Sequence, residues 1–253
     1  MKHVFPICHW SGARAAKFDG VDDHLTRGGD LTGNADGKLG LVSFWFKLNG
    51  NDGVRMSAYA TDRGIFGANE ITRVAANNLW FLRMASAGGG AVEQFRSATV
   101  YIADNTWHHF AASWDLNIVG AQHLFIDAID DLADDIFKIH NVGQTIIYKT
   151  DDHSIAAEVE PPSNPAVDFL DACLAEVYLN FAEFLDLSVA ANLEKFRTSG
   201  GAPENLGSDG STPTGNIPIV YLSGGVPEFF TNKGSGGDFT KQGAPVSCET
   251  APP

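Results

Sequence analysis

The stretch Thr106 to Asp115, Thr-Trp-His-His-Phe-Ala-Ala-Ser-Trp-Asp, restricts this chain to few folds. Its apolar residues recur at every second position, the period of a strand. Phe110, Ala112 and Trp114 share one face; Trp107, His109, Ala111 and Ser113 share the other. Asn105 and Asp115 carry turn chemistry at its ends. Alternation resumes at His123-Leu-Phe-Ile-Asp-Ala, which predicts an antiparallel partner after a short turn.

Other segments follow the same rule. Val42, Phe44, Phe46 and Leu48 face one way and Ser43, Trp45 and Lys47 the other, giving a long strand over 41–48. Phe18 anchors an earlier strand, Asp19-Gly20 is a turn pair, and Leu25 returns to the core. Strands are predicted at Gly64–Phe66, Leu79–Met84 and Gln94–Tyr101, with a hairpin tip at Gly88-Gly89-Gly90. Ile146–Tyr148 and Ser154–Ala157 read as short strands, and Leu170–Phe181 as the last strong one. Glu158–Pro165 holds three prolines and reads as an edge loop. One helix is predicted at 188–198, with Ser188 as N-cap, Val189, Leu193 and Phe196 as its stripe, and Gly200-Gly201 as its stop. At 253 residues, 27 of them glycine, the expectation is a single all-β domain with many turns.

The hairpin that begins Trp-His-His resembles the centre of laminin-G-like jelly rolls. So do the opening Phe18-Asp19-Gly20, the strand at 41–48, and Leu174-Ala-Glu-Val177 followed by a helix. Those jelly rolls belong to the concanavalin A-like lectin/glucanase superfamily. The resemblance covers residues 15–200. It implies a two-sheet antiparallel jelly-roll sandwich with one short C-terminal helix and an extended tail. Residues 1–14 would then form an N-terminal arm, and 201–253 an extension packing on the sandwich or on a neighbouring subunit. The tail itself resembles a closing segment of tailed-bacteriophage and prophage proteins, through Leu206–Gly215, Ile219–Leu222 and Asn232–Thr240.

Charge and hydropathy exclude several partners. A formal charge of −14 opposes nucleic-acid binding, which needs clustered Lys and Arg. No run of ~18 apolar residues could cross a membrane as a helix. The N-terminal apolar run is too short and interrupted for a secretory signal. Of three cysteines, Cys173 reads as a small buried hydrophobe. Cys8 and Cys248 could meet, but spacing alone assigns no pair, and three free thiols are expected in a chain without a signal.

Catalytic chemistry finds little support. Superfamily glucanases set alternate carboxylates on one strand, ~5 Å apart in a retaining enzyme. Glu158-Val-Glu160 is the nearest approach, but it runs into Pro161-Pro162 and reads as a solvated loop; Glu176 has no acidic partner two residues away. No nucleophile elbow is present, so an enzyme is not expected. His108 and His109 point to opposite strand faces and cannot share an ion; His108 should be partly buried and His109 a rim or interface residue. His24, His123, His140 and His153 lack ligand spacing. The clusters Asp19/Asp22/Asp23 and Asp130/Asp131/Asp134/Asp135 could offer oxygens to calcium, as in some laminin-G-like domains, though turn and surface roles explain them more simply. No other cofactor is expected. Trp10, Trp45, Tyr59 and Trp80 are the aromatics left for exposed positions, and Trp45, Tyr59 and Trp80 are the expected glycan-stacking residues.

The expected function is a non-enzymatic structural protein of a bacteriophage virion, as capsid decoration or a tail or fibre component. It would be made in the host cytoplasm and contact other virion proteins and copies of itself. The alternative is a carbohydrate-binding module for a host-surface glycan.

Overall fold

The computed structural model describes residues 14–61, 69–149, 152–158 and 166–253. The predicted strand Gly64–Phe66, Trp10, Cys8 and Glu160 lie outside the described residues. Sixteen strands are described: β1 (Ala16–Asp19), β2 (His24–Thr26), β3 (Leu39–Leu48), β4 (Met56–Thr61), β5 (Glu70–Arg73), β6 (Trp80–Ala85), β7 (Ala91–Arg96), β8 (His108–Asp115), β9 (Gln122–Ile126), β10 (Ile129–Asp130), β11 (Ile139–His140), β12 (His153–Ile155), β13 (Asp171–Asn180), β14 (Val220–Leu222), β15 (Thr240–Gln242) and β16 (Val246–Ser247). They form two antiparallel sheets of eight strands. One runs β10-β9-β8-β3-β13-β1-β16, with β14 also on β13; the other runs β11-β7-β6-β5-β4-β12-β2-β15. The expected two-sheet sandwich is what forms.

The long alternating strands decide the architecture. β8 pairs with β3 along its length and with β9 on its other side, so the predicted hairpin sits inside a sheet. Val42, Phe44, Phe46, Phe110, Ala112 and Trp114 meet Trp80, Leu82, Met84 and Phe95 of the second sheet in one core. Phe44 stacks on Phe110 at 4.7 Å, and Trp80 meets each edge-on at 5.7 and 5.8 Å. Gly40 is required opposite Trp114, because a Cβ there would lie 2.0 Å from the indole.

The reverse face of the first sheet is also covered. Leu41, Ala111, Tyr178 and Tyr221 pack under Leu187, Leu193, Phe196 and Leu206. A smaller cluster joins Trp45, Cys173 and Ala175 with Ala15, Trp107 and Cys248. The helix is shorter than predicted. α1 spans only Ala190–Leu193, and Val189, exposed, takes the N-cap position without a side-chain bond. Ser188 gives its hydroxyl and its N–H to Asp186 instead, so it cannot cap. Leu193 and Phe196 are buried as the stripe required.

The tail is part of the sandwich. β14 extends the first sheet beside β13, β15 pairs with β2, and β16 pairs with β1. Glu228–Phe230 forms a 3-10 turn that buries Phe229. Cys173 and Cys248 form a disulfide, correcting the expectation of free thiols. Pairing β16 with β1, itself beside β13, brings together cysteines 75 residues apart.

Candidate functional site

Register brings four strand ends to one place. Leu39 of β3 faces Asp115 of β8, Leu41 faces Asn180 of β13, and Leu179 faces Val220 of β14. The segment entering β3, the turn after β8, the exit of β13 and the approach to β14 therefore converge. The Ser235 loop joins them through backbone bonds from Ser235 to Pro218 and from Gly236 to Ile219, while Thr32 donates to Gly236. Between these segments lies a cleft of about 420 Å³.

Its base is apolar, from Leu39, Phe181 and Ile219, and Ile217, 49% exposed, adds an apolar rim. Polar groups stand above that base. Asn34 donates through Nδ2 to the Tyr148 carbonyl at 2.6 Å and to Asp30 Oδ1 at 3.0 Å. Those two acceptors fix the amide's orientation. Its Oδ1 is buried and has no hydrogen-bond partner among the described residues. Asp36 accepts the amides of Tyr148 and Lys149 through Oδ1, both at 3.0 Å. Asn117 donates to Asp115 at 2.7 Å, and Asn180 accepts from the Ala182 amide at 3.1 Å. Lys38 also lines the cleft. Tyr148, which both Asn34 and Asp36 engage, stacks on Phe181 at 4.3 Å, fixing polar wall and apolar base together. A concave lining that combines apolar residues with amides, a carboxylate and a lysine suits a polyhydroxylated ligand with an apolar face.

The residues expected to stack on glycans are elsewhere. Trp45, Tyr59 and Trp80 are 1%, 2% and 0% exposed, so none offers a platform. Trp80 lies between the sheets. Trp45 is on the reverse face but lies beneath the Cys173–Cys248 region. Tyr59 packs near Phe181, its hydroxyl 3.0 Å from His153 Nδ1.

His109 is wholly buried rather than at a rim, with Nε2 2.8 Å from Ser43 Oγ, and burial pushes its pKa down to about 3. His108, half-buried as expected, pairs with Asp127 at 2.6 Å. His140 pairs with Glu93, and His123 with Asp186. These imidazoles serve separate partners. Glu158 is not solvated: it is buried against Arg55, which also meets Glu70 and Asp168.

Asp19, Asp22 and Asp23 bring candidate ligand atoms within 4.8 Å of one another. Burial pushes the Asp19 carboxyl up, but N–H bonds from Val21, Asp22 and Asp23 hold it below its ordinary value. That oxygen organises a turn. The other cluster is dispersed, with Asp131 bonded to Thr99 and Tyr101, Asp135 to Arg96, and Asp134 near Lys138.

No family model and no curated protein sequence matches the chain. Solved structures do. A Bacteroides ovatus protein to which carbohydrate binding is ascribed aligns with 96% of this chain at 10% identity and a TM-score of 0.63. The chain spans 62% of that protein's length. A Limulus polyphemus pentraxin aligns with 70% of the chain and 80% of its own, at 10% identity and TM-score 0.49. Mouse laminin α1 LG4-5 aligns with 72% and 44%, at 15% identity and TM-score 0.44. At such identities the likeness is one of fold alone.

Proposed function

We propose that this chain is a non-enzymatic carbohydrate-binding module, and that its ligand lies in the cleft around Asn34, Asp36, Lys38, Asn117 and Asn180. The observation that carries this reading is the cleft itself, in which Asp36, Lys38, Asn117 and Asn180 line one concave site together with Leu39, Phe181 and Ile219. The fold likeness to a protein ascribed carbohydrate binding supports the same reading. So does the disulfide, since such bonds persist where thiols oxidise, outside the cytosol, where surface glycans are met.

A virion placement draws no support from these neighbours. The tail segments that suggested it serve the chain's own sheets and line its cleft at Ile217, Ile219 and Ser235.

The test is a glycan array followed by calorimetry on the best ligand. Replacing Lys38 and Asn117 together by Ala should weaken binding by roughly tenfold or more while the variant keeps a cooperative melt, its stability lowered by only about 1 kcal/mol for the lost Asn117–Asp115 bond. Failure of the parent protein to bind any glycan, or full binding by the double variant, would refute the assignment.

A further inference from the structure

A second cavity, of about 390 Å³, lies on the reverse face of the first sheet. Phe125, Leu187 and Leu193 give it an apolar base, and Arg197, Thr198 and Ser199 give it a polar wall. Arg197 differs in its partners from Arg55, Arg73 and Arg96. Arg55 meets three carboxylates, Arg73 meets Asp52, and Arg96 meets Asp135. Among the described residues no carboxylate lies within salt-bridge reach of Arg197, and its Nε is buried without an acceptor. Gly201 lets the guanidinium lie close over the turn: a Cβ there would stand 2.9 Å from Nη2, and its φ of +90° disfavours any other residue. A planar fork of donors, held against a turn at the wall of a cavity, is the arrangement that takes a carboxylate by two parallel bonds.

We propose that this cavity is a second subsite, in which Arg197 binds the carboxylate of an acidic sugar residue; the sugar part of this assignment rests on the glycan-binding reading above. Glu194 also lines the cavity. It repels a bare anion but accepts hydrogen bonds from hydroxyls. Together with the hydroxyls of Thr198 and Ser199 and the apolar base, it selects a carboxylate carried on a hydroxylated ring over a simple ion. The protein as a whole carries a charge of −14, so an anion is attracted only where a cation is left without a partner.

The test uses the full chain, with glucuronate, glucose and acetate as probes at low ionic strength. Arginine Nε–H resonances are followed by NMR, the Arg197 signal being identified by its loss in Arg197→Lys. Glucuronate should move that signal and bind at least tenfold more tightly than glucose. Arg197→Gln should abolish the preference, and Arg197→Lys, which keeps the charge but loses the fork, should retain only part of it. Equal binding of glucuronate and glucose by the parent would overturn the proposal, as would a preference that survives in Arg197→Gln. If Arg197→Gln does not fold, the parent's Nε response and the Lys variant still decide. Acetate acting as strongly as glucuronate would overturn the sugar assignment. Retention of the Arg197 response in the Lys38/Asn117 double variant separates this site from the Asn34 cleft. If that response holds while no neutral sugar binds the cleft, the cleft's assignment falls and this one stands.

Discussion

The Tyr221 hydroxyl donates a 2.6 Å hydrogen bond to Oε2 of Glu176 where β13 changes neighbours. β1 pairs with β13 over Asp171–Leu174, and β14 pairs over Val177–Leu179. Glu176 stands between them, at a break in register with β3, with φ at +48°. A bulge aims one side chain out of the alternation, here toward the tail. The carboxyl is 4% exposed, and burial pushes its pKa up to about 7, although the Tyr221 bond and the nearby Lys233 charge oppose the shift.

Folding therefore favours the protonated acid. A raised native pKa contributes stability that is complete below the unfolded value, near 4.5, and is lost as pH rises through about 7. Glu176→Gln keeps a neutral group and removes that loss. The variant should unfold at higher denaturant than the parent at pH 8, by on the order of 1–3 kcal/mol. The two should converge near pH 5. A stability difference that stays flat between pH 5 and 8.5 would show that Glu176 does not titrate with folding.

The Cys173–Cys248 bridge ties the tail to the middle of the first sheet across a separation of 75 residues. Closing so long a loop restricts the unfolded chain, and such bridges are worth about 2–5 kcal/mol. Reductant should lower the unfolding midpoint of the parent accordingly, while Cys248→Ser should start low and ignore reductant. An unchanged midpoint in the reduced parent would mean that the tail holds without its clasp.

The sheet was largely legible in the residues, and the site was not. Alternation at 41–48, 108–115 and 171–180 names which side chains share a face, and β3, β8 and β13 follow it. Alternation does not say whether a second layer covers the opposite face. That face carries Trp45 and His109, which alternation alone puts outside, yet residues 185–206 and the segment at Cys248 cover it. Asn34, Asp36 and Lys38 sit in a Gly/Asn/Asp segment whose only local signal is a turn. What makes them a wall is the register of four strands with the tail, a long-range property that no short window carries.

Arg55 holds Glu70, Glu158 and Asp168 together, one cation among three carboxylates, with Glu158 fully buried. Removing the cation leaves the acids to repel one another out of bulk water. Arg55→Met should cost roughly 3 kcal/mol at pH 7.5, and Arg55→Lys, which keeps the charge, should cost clearly less. Equal costs for the two variants would locate the role of Arg55 in packing rather than in charge.

The tail offers the strictest test of how the domain is built. If residues 217–253 served only a neighbour, deleting them would leave a folded sandwich. They supply β14, β15 and β16 to both sheets, and they place Ile219, Val220, Leu222, Phe229 and Phe239 in the main core. Each such side chain contributes about 2–5 kcal/mol when lost from a packed interior, against a total stability on the order of 5–15 kcal/mol. Deletion would also expose the β13 and β2 edges to unwanted pairing. The truncated chain should be insoluble, or recovered without near-ultraviolet circular dichroism. A soluble fragment over 1–216 with a cooperative melt would show that the core closes without its last strands. The Asn34 cleft would then have to be judged without Ile217, Ile219 and Ser235 in its wall.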